Sequence, residues 1–249
     1  MVSTRGHPRD FPEPDLSPSK HTTTSATPRA RKSRWAHTPS KLTLLWLLVS
    51  LPLVIWDSVY VLLRPLTMPG GALYWPLYVP YELYGRTDYM YGWKAYHERN
   101  GFPSAQGALN VVETLLYAFY LYLALAYGES SPAAGRGAPK PARAGRLGQE
   151  RSVDGKAGAL AVMIAFSASI MTLSKTVLYG LNEYFSGFQH IGHNSILELF
   201  FLWVVPNGLW IVLPAYMAYV SGYEIFQGLT ITASSTTTSS ASSSLVKRE

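Results

Sequence analysis

The sequence predicts an all-α fold: a multi-pass transmembrane helical bundle of at least four spans enclosing an intramembrane cavity. Three observations carry that prediction. The 249-residue chain is 48% hydrophobic and only 14% charged, yet its mean hydropathy is just +0.07, so the apolar residues are gathered into blocks. Four of those blocks are long enough to cross a bilayer core, which takes about 20 helical residues. Lys and Arg are distributed unevenly between the segments that join them.

Residues 1–41 are rich in Pro, Ser, Thr and Arg and show no apolar periodicity, the composition of a disordered basic segment. The segment lacks the apolar stretch and small-residue cleavage site of a signal peptide, so the first span is expected to act as an uncleaved anchor. "RARKSRW" sits just before a membrane span and reads as a topogenic basic flank rather than a nucleic-acid patch. The spans are expected at about 42–63, 104–127, 157–180 and 196–220. The basic segment 128–156 contains "GRGAPKPARAGRLG". Its prolines and the lack of a preceding strand exclude a phosphate-binding loop and leave a flexible linker. Residues 221–249 include "TASSTTTSSASSS", a low-complexity tail read as disordered. The chain has no cysteine, which excludes disulfides and thiol chemistry.

Eight Lys/Arg precede the first span and six lie between spans two and three, while the segment between spans three and four has none. The positive-inside rule then puts both termini and the middle linker in the cytosol. Segment 64–103 has four Lys/Arg against three acids, which weakens that orientation without reversing it. With this topology, helical rise puts Asp57 and Glu113 roughly 9 and 14 Å below the non-cytosolic surface, and Lys175 and Asn207 roughly 8 and 16 Å below it. Polar groups from four helices therefore share one layer. Lys175 could simply neutralise Asp57 or Glu113 in a structural ion pair. An acid on each of several helices exceeds what one pair needs, and intramembrane ionisable groups face a bundle interior or a cavity. The prediction is a cavity, with Tyr117 among the nearby aromatics and Trp210 on the helix face of Asn207. Prolines and a glycine in "VVPNGLWIVLP" leave room beside it.

"WDSVYVLLRP", "YELYGRTDYMYG", "NVVETLLY", "VLYGLNEYFSGFQH" and "PNGLWIVLP" resemble, in order and spacing from about residue 42 to 220, the EXPERA-domain family. That family includes the emopamil-binding protein, a Δ8–Δ7 sterol isomerase, and the sigma-2 receptor. The resemblance implies an endoplasmic reticulum membrane protein with a sterol-sized cavity. It implies proton transfer through a carbocation by Asp57 and Glu113, with Asn207, Trp210, His190 and Asp88 as ligand-site residues. The isomerase carries a histidine one helical turn before its first-helix acid, where this chain has Leu53; the sigma-2 branch also lacks that histidine.

Two functions follow from the resemblance: sterol isomerase-like activity, or non-catalytic binding of sterols, other lipids or cationic amphiphiles. A small transporter is a third reading, but it would need polar residues continuing to the cytosolic face and an internal repeat, and neither is seen. No cofactor, metal or nucleic-acid partner is expected, and a homodimer is compatible with the reading.

Overall fold

The computed structural model describes residues 35–130 and 151–246. The expectations for residues 1–34, for most of the basic linker and for the last three residues lie outside the described residues. In chain order the elements are β1 (Ala36–His37), α1 (Lys41–Leu62), α2 (Pro80–Thr87), α3 (Trp93–His97), α4 (Phe102–Ala126), β2 (Glu129–Ser130), β3 (Arg151–Asp154), α5 (Gly155–Phe185), α6 (Ile196–Leu199) and α7 (Val205–Val246). A π-helical turn, Phe200–Val204, joins α6 to α7. Helices α1, α4, α5 and the run Ile196–Ser234 are each long and apolar enough to cross a membrane. The fold is an all-α, multi-pass bundle.

In lipid the apolar side chains gain little by leaving their surroundings, so close packing and polar contacts decide how the helices associate. Helix α5 shows this. Ala161, Ala165 and Ala168 are buried along one face, and their small side chains admit Trp46 and Leu47 of α1, Tyr117, Tyr120 and Leu123 of α4, and Met217 of α7. Leu160, Met163, Ile170 and Val177 on its other faces stay exposed, as lipid-facing residues do. Thr172 and Ser169 return their hydroxyls to Ala168 O at 2.9 Å and Ala165 O at 2.6 Å, so the buried face carries no unanswered hydroxyl at those positions.

The π-turn has a local cause. Pro206 has no N–H to offer the preceding turn, and the backbone widens there: the Val205 N–H bonds Phe200 O, five residues back. Ser195 and Glu198 form a capping box at the start of α6. Glu198 is thus occupied as a cap at the rim.

One end of the bundle is more ordered than its composition suggests. Segment 35–40 is an extended strap, with β1 pairing β3 antiparallel (Ala36 opposite Asp154, His37 opposite Val153) and β2 pairing the other edge of β3. The described ends of the linker are therefore strands. The strap is held by Trp35, whose Nε1 donates to Glu224 O at 3.0 Å. Beside it, His37 Nδ1 lies 2.5 Å from Glu224 Oε2 and its Nε2 lies 3.1 Å from Tyr120 Oη. Residues past 220 also continue α7, as far as Val246. No proline or glycine interrupts residues 229–246, and Thr230 Oγ1 and Ser234 Oγ donate to carbonyls four residues back, so hydroxyl-rich sequence stays compatible with helix.

The opposite end is built from segment 63–101 and segment 186–195. Tyr89 N donates to His190 O at 3.1 Å, His193 Nε2 to Arg86 O at 2.6 Å and Asn194 Nδ2 to Thr87 O at 2.7 Å. These bonds lock one segment onto the other.

Replacing Glu224 by Ala leaves His37 buried without its carboxylate. The variant is expected to lose about 1.5–3 kcal/mol of stability, seen as a lower unfolding midpoint in lipid nanodiscs with faster amide exchange at residues 35–40. An unchanged midpoint and unchanged exchange would show that the strap is not held by this pair.

Candidate functional site

A cavity of about 450 Å³ opens between α1, α2, α4, α5 and the start of α7. Such a volume falls within the usual range of small-molecule sites, roughly 300–1,000 Å³. Its lining is mostly apolar and aromatic, with Trp56, Tyr81, Tyr84, Tyr179 and Trp210 among the rings. Asp57 is the only acidic residue in that lining.

Asp57 reaches the cavity because it stands one residue after Trp56 and four after Leu53 on α1, on the face turned to α2 and α4. Its Oδ1 accepts from Tyr81 Oη at 2.8 Å and its Oδ2 accepts from Asn110 Nδ2 at 3.2 Å. Asn110 is buried on α4, and its own Oδ1 accepts from Lys175 Nζ. Lys175 Nζ in turn lies 2.9 Å from Glu113 Oε2, both side chains being at least nine-tenths buried. The result is one connected chain, Asp57–Asn110–Lys175–Glu113, drawn from α1, α4 and α5. Burial, then the carboxylate of Asp57, pushes the Tyr81 phenol far above its ordinary range. Tyr81 therefore remains a proton-bearing donor to Asp57 at any physiological pH.

The sequence-predicted residues divide between the cavity and its supports. Asp57, Asn207 and Trp210 line it. Glu113 does not: it lies behind Lys175, whose ammonium takes its charge. Tyr117, one helical turn further along α4, belongs to the apolar core and lies 3.2 Å from Thr172 Oγ1. Asn207 Nδ2 donates to Trp203 O at 2.8 Å, so part of its amide serves the backbone beside the π-turn. Trp210 lines the cavity and meets Trp46 edge to face at 4.9 Å.

Asp88 and His190 are buried outside the lining. Asp88 accepts from Tyr179 Oη, from Trp203 Nε1 at 3.0 Å and from Met90 N at 2.9 Å. It fixes the ring of Tyr179, which does line the cavity. Burial raises the Asp88 carboxyl above the ordinary aspartate value, against the three donors that favour its charge. His190 Nδ1 lies 2.7 Å from Glu183 Oε1, with both side chains almost wholly buried. That pair shapes the segment before α6 and does not touch the cavity.

Gln106, Asn110 and Tyr81 line the cavity without having been singled out from the sequence. Asn110 had a usable signal, since it lies three residues before Glu113 and so on the same helix face. Tyr81 had none, because only the folding of α2 over the bundle brings its hydroxyl to Asp57. Among the described residues, no three His, Cys, Asp or Glu side chains cluster to hold a metal ion.

No family model, curated protein or solved structure matches the chain.

Because the folded-state pKa of Asp88 is raised, its contribution to stability is fully present below the unfolded value near 3.8 and is lost as pH rises through the folded value. The advantage of the wild type over Asp88→Asn is therefore expected to be largest in acid and to shrink toward neutrality. Unfolding midpoints of both proteins measured across pH 4 to 8 check this; a gap that widens toward neutrality would reverse the assignment.

Proposed function

We propose that this protein binds a sterol or similarly sized amphiphile inside the membrane, with the ligand's hydroxyl or ammonium group donating to Asp57. The observation that carries the reading is the single carboxylate in an otherwise apolar and aromatic cavity of about 450 Å³. A carboxylate there is costly unless it is answered. Tyr81 and Asn110 answer one lone pair on each oxygen and hold both oxygens in fixed directions. The remaining lone pairs suit a donor on the ligand, and the rings around them suit a fused-ring or alkyl body and a cationic head. The EXPERA resemblance supports the same ligand class and an endoplasmic reticulum location with both termini cytosolic.

A second reading is the sterol isomerase, favoured by the aromatic faces of Trp56, Tyr81 and Tyr179 beside Asp57. In it a proton is added to the Δ8 double bond, the resulting carbocation is stabilised by those faces, and a proton is lost from the neighbouring carbon to give the Δ7 isomer. Asp57 is the proton carrier in contact with substrate. Glu113 and Lys175 stand behind it, linked through Asn110.

Binding is tested in nanodiscs with a sterol and with N,N-dimethyldodecylamine, followed by tryptophan fluorescence. Asp57→Asn is expected to weaken the amine at least ten-fold, about 1.4 kcal/mol, and the sterol by less. Equal affinity of wild type and variant for both probes would remove Asp57 from the site. The isomerase reading is tested by gas chromatography–mass spectrometry of sterols in cells lacking Δ8–Δ7 isomerase. Conversion by the wild type and its loss in Asp57→Asn is the expected result for an enzyme; absence of conversion by a folded wild type leaves binding as the function.

A further inference from the structure

Three carboxylate or ammonium side chains, Asp57, Lys175 and Glu113, stand at the cavity or directly behind its wall, and they are not equivalent. Asp57 lines it and has no cation in ion-pair contact among the described residues. Arg64, the nearest arginine on α1's side, spends its guanidinium on Val61 O at 3.3 Å and Met90 O at 3.0 Å. Glu113 is buried behind the wall, 2.9 Å from Lys175. Lys175 is itself part of the wall, so its side chain stands between the cavity and the second carboxylate.

Resting on the amphiphile-binding reading, we infer that Lys175 is the specificity-determining residue of this cavity: by neutralising Glu113 it limits the site to one free carboxylate and selects ligands with a single cationic or hydroxyl head. The physical basis is the low dielectric of the bundle interior, where each uncompensated charge is worth far more than at a surface. With Lys175 in place the three groups sum to one excess negative charge, which one ammonium balances. Without Lys175 the sum becomes two negative charges, one on the wall and one directly behind it, and a diamine would balance them. Without Glu113 but with Lys175 the sum is zero, and an ammonium has nothing left to neutralise. Asn110 links the two ends, since its oxygen accepts from Lys175 while its nitrogen donates to Asp57. The lysine therefore also decides which way that amide points.

The ligand's charge preference should then follow the sum of charges rather than the number of side chains altered. Three variants in nanodiscs separate these: Lys175→Ala, Glu113→Gln and the double variant. The probes are N,N-dimethyldodecylamine, N-dodecyl-1,3-propanediamine and dodecanoate, with folding followed by thermal unfolding.

The wild type is expected to prefer the monoamine. Lys175→Ala is expected to shift the diamine-to-monoamine affinity ratio at least ten-fold toward the diamine. Glu113→Gln is expected to lose monoamine affinity at least ten-fold and to admit dodecanoate. In the double variant, which leaves no unpaired buried charge behind the wall, the preference for monoamine over both other probes is expected to return even where absolute affinities fall. A double variant that does not return to the wild-type order of probes, a folded Lys175→Ala with the wild-type ratio, or a folded Glu113→Gln that keeps its monoamine affinity overturns the inference. Should one single variant fail to fold, the other single variant, with the double variant as its charge-restored control, still decides it. A wild type that binds neither amine rejects the binding reading itself, and this inference with it.

Discussion

Inside a bilayer there is no water to answer a polar group, so each one must be answered by the protein. The Lys175–Glu113 pair is where this chain meets that demand at highest stake. Two opposite charges are held at 2.9 Å between α4 and α5, and removing either would strand the other in a medium that solvates ions poorly. The pair fixes the facing of those two helices at the level of the cavity. It also sets the amide of Asn110, and through that amide the carboxylate of Asp57 on a third helix. The cavity's one exposed charge is thus oriented by a contact it never touches.

The two ends of the bundle solve the same problem differently. Around Asp57 the roof is aromatic: Tyr60 stacks on Tyr81 at 3.7 Å, and Tyr91 and Tyr84 pack around Tyr81. Rings there supply bulk with few rotatable bonds, and their hydroxyls reach carbonyls or carboxylates, as Tyr60 Oη does to Tyr91 O at 2.8 Å. Asp88 and the His190–Glu183 pair stiffen this roof from behind. At the other end the contacts are backbone pairing, the Trp35 indole on Glu224 O, and a His–Glu–Tyr cluster. One end is rigid around a space; the other is closed over the core.

The bundle was legible in the sequence because span length and apolar composition are local quantities. Span boundaries fell close to the observed helices for the same reason. That Asp57, Lys175 and Asn207 belong to one layer follows from helical rise, which converts position into height, and all three line the cavity. Rotation about each helix axis was not legible. Depth put Glu113 level with Asp57, but only packing decides that Glu113 turns to α5 and Lys175 while Asp57 turns to the cavity. The same limit applies to His190 and Asp88, whose segments gave no periodicity from which to read a facing direction. Trp35 and His37 were passed over because their neighbours are Pro-, Ser- and Arg-rich, and composition averaged over 41 residues hides a short strap at its edge. The Ser/Thr-rich tail differs in the opposite way: its low complexity suggests no structure, while the helix continues into it and Thr230, Thr232 and Ser234 bond back to carbonyls four residues earlier.

The strap also constrains the order in which the molecule can be completed. Trp35 and His37 precede every candidate span among the described residues, yet their partner Glu224 lies in the last one. During synthesis the strap can meet Tyr120 and the linker strand β3 early, but its contacts with Glu224 wait until the last helix is made. Its closure against α7 can occur only once the final span has emerged. A contact between the two extremes of the membrane domain thereby becomes a record that everything between them is in place.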